Sequence, residues 1–363
     1  MRPTYLEVNL PQLRKNMKAI RAHVVPAKVM TMVKANAYGH GVDGVAPFIE
    51  LYVDCFGVAI LEEGIHLREL GITKPILVAG GTLPEQIPAF IENDLTLTAS
   101  SSELLASAEA AAESAKRKLT AHLKIDTGME RVGVHYYEAE SFLEQSLKLK
   151  HVEIEGIYTH LANSEARDLT HARLQFERFQ EVLHFYEKHS LPAPIRHMAN
   201  SGAVLQFPES HMDMVRPGLM FYGVYPAGVA QTVDIASALT WRSKVAYSKI
   251  TRPGHPVSYG SLWQADAEAR IVTIPCGYAD GYFRRMTNQA QVIVNGKKYP
   301  QVGRICMDQF MVNVGDDEAQ VGDEVILLGD GIEAHDLAEW TGTNEYEVLT
   351  NISARVPRVY VTE

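Results

Sequence analysis

Residues 28–41 read KVMTMVKANAYGHG. After Lys28 the run is apolar or β-branched, the texture of a strand buried on both faces. It stops at Lys34, and small residues, a tyrosine and two glycines follow at once. An ammonium closing such a strand is either an ordinary polar end or an amine held out of water for chemistry. The choice turns on the sheet that the strand joins. Seven more runs of this kind follow: CFGVAI (55–60), PILVAG (75–80), LTLTA (95–99), TAHLKID (120–126), VEIEGIYTH (152–160), PIRHMAN (194–200) and MDMVR (212–216). Helical stretches lie between them, among them 101–118, 135–150 and 169–189, the first opened by serines of the N-cap type. Strand alternating with helix means a parallel sheet, and eight repeats predict an α/β fold with a closed (β/α)8 TIM-type barrel. An open, doubly wound sheet is the alternative. No GxGxxG follows the first strand, which weakens the dinucleotide-binding form of that alternative.

After residue 235 the texture changes. LTWRSKVAYSKI (239–250), EARIVTIPC (268–276), AQVIVNGKKYP (290–300), QFMVNVG (309–315) and DEVILLG (323–329) are short alternating strands divided by Gly, Pro and Asn-Gly. Asn295-Gly296 is the clearest hairpin signal. We expect the barrel over 1–235 and a mostly β domain over 236–363, with one late helix around AHDLAEWTG (334–342). TYLEVNL (4–10) is one strand too many for the barrel and is expected to join the β domain.

Composition narrows the function classes. The 363 residues are 46% hydrophobic and 21% charged, ordinary for a chain with a sizeable core. A net charge of −10 without a basic run argues against nucleic acid and anionic membranes as partners. The N-terminus has no apolar signal core, and no run of about 18 apolar residues occurs. Cys55, Cys276 and Cys306 lie far apart without CxxC spacing, so neither a disulfide framework nor a metal site is expected. These features predict a soluble cytoplasmic protein.

In a parallel barrel, reactive groups gather where the strands end. Lys34 follows the first strand. Lys124 and Asp126 close the fifth, with Arg131 just beyond. His160 closes the sixth, Asn200 and Ser201 the seventh, and Arg216 the eighth. Ser201-Gly202 and Arg216-Pro217-Gly218-Leu219 follow the last two strands, where free backbone N–H groups suit an anion such as phosphate. A phosphorylated ligand within reach of a desolvated amine suggests a carbonyl cofactor held as a Schiff base, and pyridoxal 5'-phosphate combines both features.

VKANAYGHG (33–41), KIDTGMERVG (124–133), THLANSE (159–165), HMANSGA (197–203), MVRPGLMFYG (214–223), VSYG (257–260), IPCGYADGYFR (274–284) and VGRICMDQFMVNVG (302–315) together resemble the alanine racemase family. The resemblance runs over nearly the whole chain and implies the same two-domain plan. It implies racemisation of L- and D-alanine, with D-alanine going to peptidoglycan, in a homodimer with shared active sites. Lys34 would hold pyridoxal phosphate and act as the base on one face of Cα, and Tyr259 would act on the other. Arg216 would face the pyridine nitrogen, with His160 near the ring or orienting Arg216. Tyr38, Asn200, Ser201, Gly218 and Leu219 would complete the cofactor site, several of them at the phosphate. Arg131, Met307 and Asp308 would bind substrate. Lys124 matches a lysine that is carbamylated in many members, and Tyr278 lines the entry channel. At Ala354 some members carry a tyrosine, so a wider neck and some tolerance of serine are expected. The alternatives are a broader alanine/serine racemase, a decarboxylase on the related plan, and a barrel that only binds the cofactor.

Overall fold

The computed structural model describes residues 2–363. Strand β1 (Tyr5–Asn9) precedes a helix over Leu10–Val24. Eight strands then form the barrel: β2 (Lys28–Met32), β3 (Cys55–Val58), β4 (Ile76–Val78), β5 (Thr96–Ala99), β6 (Leu119–Asp126), β8 (Val152–Tyr158), β9 (Ile195–His197) and β10 (Met214–Val215). The two-residue β7 (Val134–His135) flanks β6. Every neighbouring pair is parallel, and the order β5-β4-β3-β2-β10-β9-β8-β6 closes through β5–β6 pairing. The closed barrel therefore replaces the open-sheet alternative. β4 and β5 are buried at every position, as strands with helices outside and side chains inside must be.

The second sheet is built from β11 (Leu239–Lys244), β12 (Tyr247–Thr251), β13 (Ala269–Ile274), β14 (Gln291–Val294), β15 (Lys297–Val302), β16 (Phe310–Gly315), β17 (Glu324–Leu328) and β18 (Arg358–Val361). Its order is β12-β13-β16-β15-β14-β17-β11-β1-β18. Asn295 (φ 49°) and Gly296 (φ 81°) link β14 to β15, the double positive φ that a two-residue hairpin requires.

Three features depart from the sequence reading. The stretch 239–250 is two strands with different partners, β17 and β1 for β11 but β13 for β12. Its alternation lapses at Val245-Ala246-Tyr247, three apolar residues in a row, where one strand ends and the next begins. A second late helix, Glu345–Thr350, follows Ala334–Thr341 and is capped by Asn344. The four-residue β18 is too short to show a pattern and forms as the parallel partner of β1.

By its contacts the chain divides into residues 14–37 with 42–235, and residues 2–13 with 38–41 and 236–363. A single cut at residue 235 does not describe this. β1 pairs with β11 and β18, and Gly39 and Gly41 lie against the C-terminal helix and β18. No helix among the described residues is long and apolar enough to cross a membrane.

Candidate active site

Arg216 directly follows β10 and is only 4% exposed. Its Nη1 donates to His197 Nδ1 (2.8 Å), and its Nη2 reaches the carbonyls of Thr159 (2.9 Å) and Met198 (3.2 Å) and His160 Nδ1 (3.1 Å). A guanidinium only donates, so both imidazoles accept at Nδ1 and carry their proton on Nε2. His197 Nε2 then donates to His122 Nδ1 (2.9 Å), and His122 Nε2 to Glu155 Oε2 (3.1 Å). Every hydrogen bond in this relay points outward, from the buried cation to an exposed carboxylate. Burial foremost, then Arg216, pushes His160 and His197 well below the ordinary histidine range, which keeps them neutral acceptors. Burial also lowers Arg216 to about 10, still charged at neutral pH, and among the described residues no carboxylate ion-pairs with it.

Gly156 makes room for the relay. A Cβ there would lie 2.5 Å from His122 Nδ1, its cross-strand partner. Tyr158 stacks on His197 (4.6 Å between centroids, 8° apart) and hydrogen-bonds Thr98 Oγ1 at 2.9 Å. Lys124 Nζ and Arg216 Cζ sit 5.4 and 5.2 Å from the Tyr158 ring centroid. Lys124 is 4% exposed and donates to the carbonyl of Ile125. Burial, helped by Arg216 and Arg131 and opposed by Asp126, pushes its amine down to about 7. Asp126 accepts the N–H groups of Gly128 (2.8 Å), Met129 (2.9 Å) and Arg131 (3.1 Å), folding the loop that presents the exposed Arg131.

Lys34 is half-buried, two residues past the end of β2. Burial, then Arg131 and Arg216, holds its amine below the ordinary lysine value against a raising pull from Glu63. The four residues after it form a left-handed turn. Ala35, Asn36, Ala37 and Tyr38 have φ of 51°, 55°, 53° and 51°. That conformation costs about 1–2 kcal/mol per non-glycine residue, so bonds elsewhere must hold it. Ala37 N–H bonds the carbonyl of Val33 (2.9 Å), and Val42 N–H bonds Asn36 Oδ1 (2.8 Å). Tyr38 is 6% exposed and clusters with the β unit, its ring 6.0 Å from that of Tyr346. Gly39 has no room for a Cβ, which would lie 2.1 Å from the backbone oxygen of Leu349, and Gly41 sits at φ 93°, where glycine is favoured.

Ser201 Oγ accepts from Gly218 N–H (3.0 Å) and Met220 N–H (3.3 Å), tying the turns after β9 and β10 together. Its own proton is left to donate, in a side chain 2% exposed. Gly218 thus has its N–H engaged within the turn, and Leu219 opens a short 3-10 helix over Leu219–Tyr222. Asn200 is a helix cap: its Oδ1 accepts from Ala203 N–H (3.2 Å) and Ser164 Oγ (2.6 Å).

The β unit gathers a second set. Tyr259, Tyr278, Met307 and Asp308 line one pocket of about 860 Å³, with Arg284 and Arg304. Tyr259 is 72% exposed, Met307 53% and Tyr278 41%. Ser258 (φ 68°) turns the chain sharply before Tyr259 and is pinned by its hydroxyl to the carbonyl of Arg304 at 2.6 Å. Gly303 allows that approach, because a Cβ there would be 2.5 Å from Val257 O. Asp308 receives Arg355 Nη2 at 2.8 Å, while Ala354 beside it is exposed.

Lys34, Lys124, Arg131, His160, Asn200, Ser201, Arg216, Gly218 and Leu219 therefore share one unit, and Tyr38, Tyr259, Tyr278, Met307, Asp308 and Ala354 the other. Sequence reasoning missed His122, Glu155, Tyr158 and His197. A signal existed for two of them. His122 lies two residues before Lys124, and Tyr158 two before His160, on one face by strand alternation.

Residues 8–226 match the family described as "Alanine racemase, N-terminal domain", and 238–360 "Alanine racemase, C-terminal domain". The chain is 44% identical to an alanine racemase of Carboxydothermus hydrogenoformans, over 99% of this chain and 100% of that one. It is 40% identical to one of Halothermothrix orenii, over 99% and 97%. Among solved structures it resembles an alanine racemase of Clostridium difficile (36% identity, 99% and 96% covered, TM-score 0.95). Another is that of Bacillus anthracis with bound L-Ala-P (34%, 100% and 96%, TM-score 0.92).

Proposed function

The chain belongs to the alanine racemase family, and we propose that it interconverts L- and D-alanine with pyridoxal 5'-phosphate, Lys34 and Tyr259 serving as bases on opposite faces of Cα. The carrying observation is a lowered amine, Lys34, grouped with two arginines, one of them buried and, among the described residues, paired with no carboxylate. Such a donor set suits an anionic aldehyde. The lowered amine suits its carbonyl carbon, the guanidinium of Arg216 a ring nitrogen, and the unused proton of Ser201 a phosphate oxygen. When bound, pyridoxal phosphate supplies a carbonyl that condenses with amines and a ring that withdraws electrons from Cα.

The residues then divide the work. Arg216 donates at the ring nitrogen and keeps its proton, which limits electron withdrawal and restrains protonation at the wrong carbon. Ser201 holds the phosphate through its hydroxyl, with Leu219 beside it and the Gly218 N–H fixing that hydroxyl instead of donating to the phosphate; Asn200 supports them by capping the helix that Ser201 opens. Lys34 Nζ moves the Cα proton on one face and the Tyr259 hydroxyl on the other, because removal and return on one face would restore the same enantiomer. Arg131 orients the substrate carboxylate.

Tyr259 stands exposed in its unit, which favours a homodimer in which it serves the partner's barrel, with Met307 and Asp308 at the carboxylate end. The test is exchange of the Cα hydrogen in deuterated water, read with loss of optical rotation from L-alanine. Lys34→Ala and Tyr259→Phe should each abolish racemisation. Full racemisation by either variant overturns the two-base assignment, and cofactor binding without racemisation by the wild type favours a mere binder. The broader alanine/serine reading rests on Ala354 and is tested below.

A further inference from the structure

In the left-handed turn after Lys34, Ala37 and Tyr38 are buried, whereas Ala35 and Asn36 are exposed. A pocket of about 350 Å³, lined by Val33, Asn36, Val42, Asp43, Glu63 and His66 among others, opens beside the exposed half, where hydrogen bonds must hold the conformation. Glu63 makes the link to a neighbouring element. Its Oε1 accepts from Ala35 N–H at 2.6 Å, while its Oε2 accepts from Ala59 N–H (2.8 Å) and Ile60 N–H (3.4 Å). One carboxylate thereby joins the residue next to Lys34 to the loop after β3. Glu63 is the third residue of the helix Leu61–Glu69, and the position before that helix is Ile60, which offers no oxygen of its own.

We propose that Glu63 is a positioning residue for Lys34: its carboxylate sets the left-handed turn and so aims the amine. Only a carboxylate fits this task. Three N–H donors converge on two oxygens, and a glutamine would turn an NH₂ group toward one set of them. The carboxylate also pulls against the burial that lowers the Lys34 amine, as expected of a close neighbour. Glu63 need touch neither substrate nor cofactor.

The inference rests on Lys34 as the cofactor amine for the labelling and kinetic readouts, and not for hydrogen exchange. Holoenzyme would be compared with Glu63→Gln, Glu63→Ala and the double variant Glu63→Ala/Ile60→Asp, whose aspartate caps the helix independently. Amide hydrogen exchange over 34–38 should speed up about tenfold or more in the single variants, the loss of one charge-assisted bond. After borohydride reduction the share of cofactor fixed on Lys34, read by peptide mapping, should fall several-fold, and kcat should fall more than KM. Ile60→Asp should restore Tm but neither exchange protection nor labelling. Unchanged exchange, or recovery of exchange together with Tm in the double variant, would reduce Glu63 to a helix cap and overturn the proposal. Label absent from Lys34 in the wild type would instead refute the cofactor reading, while the exchange result would still decide on Glu63.

Discussion

In the barrel, Arg216, Lys124 and His197 are almost entirely withdrawn from water, whereas in the β unit Tyr259 and Met307 keep more than half of their surface exposed. The two sets are prepared by different physics. Burial moves the proton affinities of the barrel groups and forces each polar atom to find a partner, which is why one guanidinium organises a relay of three further side chains. The β set is aimed by backbone instead: Ser258 at positive φ, Gly303 at close approach, and a hydroxyl bonded to a carbonyl. One region is fixed by burial and its own hydrogen bonds, and the other holds its groups out to solvent.

The sharpest way to break this contrast is complementation. For the proposed homodimer with shared sites, Lys34→Ala and Tyr259→Phe should each be inactive alone and recover activity when mixed and allowed to exchange subunits. A heterodimer holds one intact site, so recovery should approach about a quarter of wild-type activity at equal mixing. No recovery, with exchange verified, would place Tyr259 outside the partner's site.

Next come the two glycines that make the contrast possible. Gly156→Ala places a Cβ on the His122 ring, and Gly303→Ala places one on the Val257 carbonyl at φ 70°. Each should cost roughly 1–3 kcal/mol in denaturant unfolding. Gly156→Ala should also change the histidine ¹⁵N signals that report the Nε2–H tautomers, which Gly303→Ala should leave alone. Equal spectra from both would deny the relay its dependence on room at Gly156.

Lys124 sharpens the barrel side. Its folded value of about 7, against an ordinary 10.5, means that the folded state binds fewer protons than the unfolded state between those limits. Stability should therefore fall as pH drops from about 10.5 to about 7 and level off below, a trend that Lys124→Met should flatten. At about 7, roughly half of the amine is neutral at pH 7, the form that adds carbon dioxide, so we propose that Lys124 is carbamylated where carbon dioxide is present, the pH trend above being that of the carbon-dioxide-free protein. With ¹³C-bicarbonate a carbamate carbon signal should appear and be missing in Lys124→Met. Its absence from the wild type would leave a bare amine.

The smallest effect is expected on the β side. Ala354→Tyr should lower the ratio of serine to alanine turnover only a few-fold, the range of modest pocket changes. An unchanged ratio would remove Ala354 from any role in substrate breadth.

Much of this was legible before any coordinates. Each of the eight barrel runs overlaps an observed strand, because strands buried on both faces leave near-continuous apolar runs between polar helical stretches. The hairpin at Asn295-Gly296 was equally plain, since few residue pairs accept two positive φ values. Lys34, Lys124, His160, Ser201 and Arg216, with Arg131 just beyond the fifth run, stand out in the sequence because polar groups are conspicuous at the ends of apolar runs. His122 and His197 were hidden inside such runs, and Glu155 and Glu63 looked like any surface acid. Their partners lie 19 to 75 residues away in the chain, beyond the reach of a local pattern.

The sequence by itself determined the alternation, the change of texture near residue 235 and the types of reactive side chain, all of which depend on neighbours in the chain. The tertiary structure alone decided that the residues after Lys34 wind left-handed, that Arg216 faces two neutral imidazoles, and that β1 joins β11 and β18. Each of these depends on a partner brought close by folding, whose hydrogen bond or burial outweighs the local preference of the chain.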